Sequence, residues 1–300
     1  MAHDDAVPAA EGTLSPARAR LVLPVVGLSL MAVISAVSGL NVALPSMARE
    51  TGASQAELTW IVDAYTVVFA GLLLFAGALG DRFGRRRLLL IGLAIFGGAA
   101  ALGLVTTQPG QLIAVRMLMG LGAAAVMPTT LSVITTSFPE AERPRAIGVW
   151  VGIAGGGAVL GLFATGLLLE WFPWTSFFAL NVTLAALGFV GVLAVIPESS
   201  DPSHRLDVVG GLLSLVAVAS IVFGIIEGPE RGWGDPVTLG ALLLGAVALV
   251  AFLAWEARQP YPLPVPRDPM GALGGSRGAV NPRRQTRPYQ SPLNLLTCTT

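Results

Sequence analysis

Two ionisable side chains stand inside otherwise apolar stretches: Asp63 in Trp60-Ile-Val-Asp63-Ala-Tyr65, and Arg116 in Arg116-Met-Leu-Met-Gly120-Leu-Gly122. Charged groups in such surroundings cost about 2.5–3.5 kcal/mol each on insertion scales and mark ion or substrate pathways. The chemistry open to such a pair is exchange: acid and arginine face one cavity, pair, and part when a proton or cationic molecule competes. A second group is Gly77-Ala-Leu-Gly-Asp81-Arg82-Phe-Gly84-Arg85-Arg86-Arg87, where glycines permit close backbone approach and Asp81 offers an acceptor beside a run of cations. A third is glycine alone: Gly152-x-x-x-Gly156 and Gly157-x-x-x-Gly161, spacings that let helices pack closely. Metal and redox chemistry find no support, because Cys298 is the single cysteine and the two histidines, His3 and His204, show no ligand spacing. No nucleophile, base or metal constellation points to an enzyme.

The elements that carry these residues follow from composition. Of 300 residues, 54% are hydrophobic and 12% charged, with a mean hydropathy of +0.73. A soluble domain has about 25% charged residues, so the chain has half the charge a water-facing surface needs and reads as a membrane protein. The 18 acidic and 18 basic residues balance, and every basic residue is arginine; net charge gives no reason to expect a nucleic-acid partner. Apolar runs long enough to cross a bilayer as helices occupy roughly Leu21–Leu44, Leu58–Leu79, Leu88–Val105, Gln111–Thr135, Ala146–Leu169, Phe177–Ile196, Val208–Ile226 and Val237–Trp255. The links between them are short, and the expected architecture is an all-α polytopic bundle of about eight spans.

Arginine placement sets the expected orientation. Alternate loops hold Arg18 and Arg20, then Arg82 and Arg85 to Arg87, then Arg143 and Arg145, then Arg205, then Arg258; the other set holds Arg49 and Arg231. By the positive-inside rule the N-terminus is cytoplasmic, in a cell membrane crossed several times. Asp63 and Arg116 each lie about five positions inside a span start, at matching depths of roughly 7–8 Å below the outer boundary. Asp207 reads as a helix N-cap, while Glu227, Glu230 and Asp235 read as solvated in an outer loop.

The Gly77–Arg87 segment resembles the G-x-L-x-D-R-x-G-R-R signature of the major facilitator superfamily. Arg116-x-x-x-Gly120-x-Gly122, Asn41-Val-Ala-Leu-Pro45, the Trp60–Tyr65 segment, Phe178-Ala-Leu-Asn181-Val, Leu206-Asp207 and Ile226-Glu-Gly-Pro-Glu-Arg-Gly-Trp233 extend the resemblance to its fourteen-span drug:proton antiporter branch, over about residues 20–260. The sequence departs from that branch at Ala36, where an aspartate is usual, and at Met119, where a glutamine is common. It departs again in Gly157-Ala-Val-Leu-Gly161-Leu-Phe-Ala-Thr165-Gly166, which lacks the proline and one glycine of G-x-x-x-G-P-x-x-G-G.

Composition gives a cytoplasmic polar leader (1–20) and a Pro/Gly/Arg-rich disordered tail (259–300), and the resemblance implies a six-helix transporter domain (21–197) and two additional linker helices (198–258) between them. It implies proton-coupled multidrug efflux and antibiotic resistance by alternating access, with no cofactor beyond the proton gradient. Partners are a small amphipathic substrate and membrane lipid. Asp63, Arg116, Asn41 and Gly120 are the expected substrate and proton pathway; Gly77, Asp81, Arg82, Gly84, Arg85 and Arg86 form a conformational-switch loop; Gly152, Gly156, Gly157 and Gly161 pack helices. Fourteen spans are implied where eight are present, so the alternative is a truncated or frame-shifted chain that transports nothing alone and acts with a second copy or a missing C-terminal half.

Overall fold

A computed structural model of the chain describes residues 16–200 and 207–258, and all the described helices belong to one unit ending at Arg258. His3, His204, Arg205, Cys298, the first fifteen residues of the expected leader and the whole expected tail lie outside the described residues. Eight helices follow in order: α1 (Pro16–Thr51), α2 (Gln55–Phe83), α3 (Arg85–Gly103), α4 (Pro109–Ser137), α5 (Arg143–Leu169), α6 (Ser176–Val195), α7 (Val208–Arg231) and α8 (Pro236–Glu256). Each is long and apolar enough to cross a membrane; the shortest, α3 at 19 residues, measures about 28 Å at 1.5 Å per residue. The expected spans are all present. Most helices run past their apolar segments, because polar end residues supply the bonds that helix termini lack.

Those ends are readable residue by residue. α1 closes at Gly52, whose φ of 66° suits a residue without a Cβ. Two residues on, Ser54 and Glu57 form a reciprocal capping box: the Glu57 amide donates to Ser54 Oγ at 3.3 Å and the Ser54 amide donates to Glu57 Oε2 at 2.8 Å. Asp207 caps α7 through the Gly210 amide, as its sequence position predicts, and it also accepts from Trp255 Nε1 at 3.0 Å. Asp235, predicted to be a solvated loop residue, caps α8 by accepting from the amides of Val237 and Thr238. Pro109 and Pro236 stand first in α4 and α8, where no N–H is needed.

Packing does not follow chain order. α1 packs chiefly on α5, α6 and α4; α4 packs chiefly on α2, α3 and α1; consecutive pairs such as α1–α2 and α4–α5 touch only lightly. The α1–α5 and α1–α6 contacts correspond to α4–α2 and α4–α3, so the first six helices are two three-helix repeats. Short links make consecutive helices antiparallel; α1 and α4 therefore run in opposite directions and the repeats are inverted. The central α4 has 61% of its most apolar window buried, against 17% for α5, α7 and α8, which leaves those three to face outward. α7 and α8 form a hairpin seated on α2.

Helices in lipid gain little from apolar burial against each other and associate by close packing at small residues. An added Cβ at Gly120 would stand 2.5 Å from the Tyr65 carbonyl oxygen, and one at Gly122 would stand 2.6 Å from the Phe96 nitrogen. These two glycines of α4 admit the backbones of α2 and α3 respectively. Gly161 of α5 does the same for α1, with its would-be Cβ 2.7 Å from Ser35 Cα.

Candidate functional site

Arg116 is buried, with 1% relative exposure. It neither snorkels to a surface nor forms an ion pair with Asp63. Its Nε donates to the Ile61 carbonyl at 2.9 Å, Nη1 to the Ala36 carbonyl at 3.2 Å and Nη2 to the Val62 carbonyl at 3.5 Å. The guanidinium carbon lies 4.4 Å from the centroid of the Tyr65 ring, whose hydroxyl donates to the Val33 carbonyl at 3.0 Å. A helical carbonyl already bonded to its own i+4 amide keeps a second lone pair, and the planar fork of arginine reaches several at once. Arg116 thus ties α4 to both α1 and α2.

The expected Asp63–Arg116 pair is therefore a correction, and its cause is angular. At about 100° per residue, Asp63 lies about 200° around α2 from both Ile61 and Tyr65, so its carboxylate makes no contact ion pair with the arginine, although the two charges are near enough to interact through space. Asp63 instead lines a cavity of about 390 Å³ at the α1–α2 end, together with Leu44, Pro45, Ala48, Gln55, Leu58, Thr59 and Val62. The lining is mainly apolar, and the Asp63 carboxyl is its one acidic group.

The other expected pathway residues occupy different surroundings. Asn41 is exposed on α1 and its amide donates to the Val37 carbonyl at 3.2 Å. It stands one turn before Pro45, which has no N–H to offer the Asn41 carbonyl. Gly120 is buried at the α2–α4 crossing and lines no cavity described here.

At the opposite end, the arginine-rich turn is a bonded network. Gly84, at φ 120°, is the single residue between α2 and α3. Asp81 accepts from Arg85 Nε at 2.9 Å and from Ser132 Oγ of α4 at 2.7 Å, and Arg85 Nη2 lies 2.8 Å from the same carboxylate oxygen. The segment after α6 returns across this turn. The Arg85 amide donates to the Ser199 carbonyl at 2.9 Å, the Arg86 amide to Glu198 Oε1 at 3.2 Å, and Arg87 Nε lies 3.4 Å from Glu198 Oε2. Gly84 has no side chain to cap α3, and Glu198 supplies that acceptor from 112 positions away. Arg82 instead lies exposed over the Phe83 ring, and Gly77 faces Pro128 of α4.

The glycine pairs of α5 divide. Gly157 and Gly161 are buried against α1, meeting Met31 and Ser35. Gly152 and Gly156 are exposed with no heavy atom near a would-be Cβ; among the described residues no helix meets them there. Spacing places four glycines along α5 but does not say which faces have partners.

Several residues that bear on the site were not legible beforehand. Tyr65 appeared only within a motif, and Ser132 and Glu198 drew no expectation. Glu227, expected in a solvated loop, lies on α7, accepts from Trp60 Nε1 at 2.9 Å and pairs with Arg231. The seventh apolar run ends at Ile226, three residues before Pro229. In the last turn it removes one bond only, and α7 continues to Arg231 before Gly232 at φ 97°. The i,i+4 spacing of Glu227 and Arg231 was the available signal.

Eight membrane-length helices with inverted three-helix repeats define the class as a polytopic helical membrane protein. Residues 26–265 match the family model described as Major Facilitator Superfamily. The chain belongs to the Major Facilitator Superfamily. It is 41% identical to the puromycin resistance protein of Streptomyces alboniger over 74% of this chain and 44% of that protein. It is 34% identical to the methylenomycin A resistance protein of Bacillus subtilis over 81% of this chain and 52% of that protein. It is also 36% identical to the cephamycin export protein CmcT of Amycolatopsis lactamdurans over 74% and 46%. The chain spans about half the length of the curated relatives it matches. A crystal structure of the peptide transporter POT in complex with sulfate shares the fold, with a TM-score of 0.58 at 17% identity over 79% of this chain and 52% of that one.

Proposed function

We propose that the chain is the N-terminal portion of a proton-coupled exporter of amphipathic drugs or antibiotics, with Asp63 as the exchanging acid. The observation that carries this reading is the placement of the Asp63 carboxyl in the mainly apolar 390 Å³ cavity between α1 and α2. An amphipathic cation displaces a proton there, and the return of a proton releases it; the proton gradient drives the cycle and no bound cofactor takes part. Resistance and export proteins among the relatives support the substrate class. Arg116 keeps α1, α2 and α4 in register around the acid. Gly120 permits the α2–α4 approach, and Asn41 adds a polar group beside the Pro45 turn. The turn from Gly77 to Arg86 is the switch at which the repeats shift, with its arginines in the cytosol, the N-terminus cytoplasmic and the protein in the cell membrane.

Alternating access in such bundles works by one bundle rocking against another around a shared midplane site. The doubled length of the relatives supports a second helical half as the partner, and the chain alone is expected to bind and not to transport. The test is drug accumulation in cells expressing the chain alone, the chain with a C-terminal half from a relative, and each with Asp63→Asn. Export by the two-half protein that is lost in Asp63→Asn supports the reading. Unchanged proton-coupled export in that variant removes Asp63 from the mechanism, and export by the chain alone removes the need for a second half.

A further inference from the structure

Glu227 is an acid near the end of α7, a helix that is otherwise apolar until its last turn, and its side chain keeps 13% exposure. Its partner across the helix interface is Trp60, whose indole N–H donates to Oε1 at 2.9 Å, while the Trp60 ring lies 5.7 Å from that of Phe223, also on α7. Trp60 stands three residues, close to one turn, before Asp63. The carbonyls of Ile61 and Val62 between them accept from Arg116 of α4. The single turn 60–63 is therefore gripped from two sides: by α4 through its backbone, and by α7 through an indole. Asp63 projects from that turn into the cavity.

We propose that Glu227 is a positioning residue for Asp63, acting through the Trp60 indole, and that α7 thereby sets the direction in which the acid enters the cavity. The Arg116 bonds, the Gly120 contact and the Tyr65 hydroxyl all hold α2 from the side of α1 and α4, and none of them grips its α7-facing side at this end. A roll of about 30° carries a side chain at about 5 Å from the axis through about 2.5 Å, enough to take a carboxylate out of hydrogen-bond reach. The Trp60–Glu227 bond opposes that roll with an ionised acceptor, which is stronger than a neutral one. Arg231, at i+4, keeps Glu227 charged and in place. Deeper contacts such as Gly71 against Leu215 seat α2 on α7 but lie two turns away from the acid.

The proposal rests on the reading of Asp63 as the exchanging acid, and its test does not require transport. A hydrophobic carbodiimide is reacted with the detergent-solubilised chain at fixed pH, and the rate of modification at Asp63 is followed by peptide mass spectrometry. Trp60→Phe removes the donor and keeps the ring against Phe223; Glu227→Ala removes the acceptor; Glu227→Gln removes the charge and keeps an acceptor. The expected result is a change of at least about fivefold in the Asp63 rate, the weight of an ordinary hydrogen bond or more, in both Trp60→Phe and Glu227→Ala, with Glu227→Gln, which keeps a weaker neutral acceptor, falling between Glu227→Ala and the parent. Should one of the first two fail to purify as a monodisperse species, the other reads the same bond from its opposite partner. An unchanged rate in both overturns the proposal, as does a Glu227→Gln change as large as that of Glu227→Ala, which would mean charge acting through space. Flat labelling leaves the exchange reading standing, and unchanged export in Asp63→Asn leaves the labelling result standing, so the two failures are separate.

Discussion

Replacing Gly120 by alanine tests the close approach on which the whole α1–α2–α4 contact depends. The new Cβ would sit 2.5 Å from the Tyr65 carbonyl oxygen and 3.1 Å from Tyr65 Cα, where ordinary contact begins at 3.4 Å. Relief requires α2 and α4 to part by 3.4 − 2.5, or 0.9 Å. One turn along the same interface, the Arg116 Nε to Ile61 carbonyl bond would stretch from 2.9 Å beyond hydrogen-bond reach. Overpacking costs about 1–3 kcal/mol and a polar helix–helix bond in a membrane protein about 1 kcal/mol. Alanine's better helix propensity offsets about 1 kcal/mol, leaving a net loss of about 1–3 kcal/mol. Thermal unfolding in detergent, followed by circular dichroism, should show a midpoint about 3–10 °C lower. Gly156→Ala is the matched control, because nothing lies near its would-be Cβ; its midpoint should stay level or rise slightly. Equal shifts in the two variants would refute the reasoning that proximity, and not loss of glycine as such, governs this interface.

Arg116→Lys should lower the midpoint at least as far, because a single nitrogen cannot stand where the three separate nitrogens of the guanidinium reach the Ile61, Ala36 and Val62 carbonyls; the same melting experiment decides, and a parental midpoint counts against the staple. Glu198→Ala leaves the start of α3 without its acceptor, so limited trypsin digestion should cut after Arg86 and Arg87 several-fold faster while cleavage after the exposed Arg82 keeps its rate. A uniform increase at all three would point to general loosening instead.

How much could be read beforehand differs between fold and site. The eight spans were legible because a bilayer imposes one length and one composition on every crossing helix, and the Asp207 cap was legible because capping is chain-local bonding. Asp63 and Arg116 stood out because ionised groups are scarce in such segments. Their matching depth was legible too, since depth is a count along the helix axis. Their mutual orientation was not: it depends on how α2 is rolled between its neighbours, through contacts such as Gly120 with Tyr65, Arg116 with the Ile61 carbonyl and Glu227 with Trp60, each between residues more than fifty positions apart.

Amino-acid order alone thus determined that the chain crosses a membrane as helices, where each crossing begins, and which residues bear charge within it. Only tertiary structure decided that Arg116 staples backbones while Asp63 opens into a cavity, that Gly157 and Gly161 meet α1 where Gly152 and Gly156 meet no neighbour among the described residues, and that Glu198 and Glu227 reach across to α3 and α2. The physical reason is that hydropathy and capping act along one chain segment. Azimuth, close approach and hydrogen bonding between helices arise only when distant segments are pressed together.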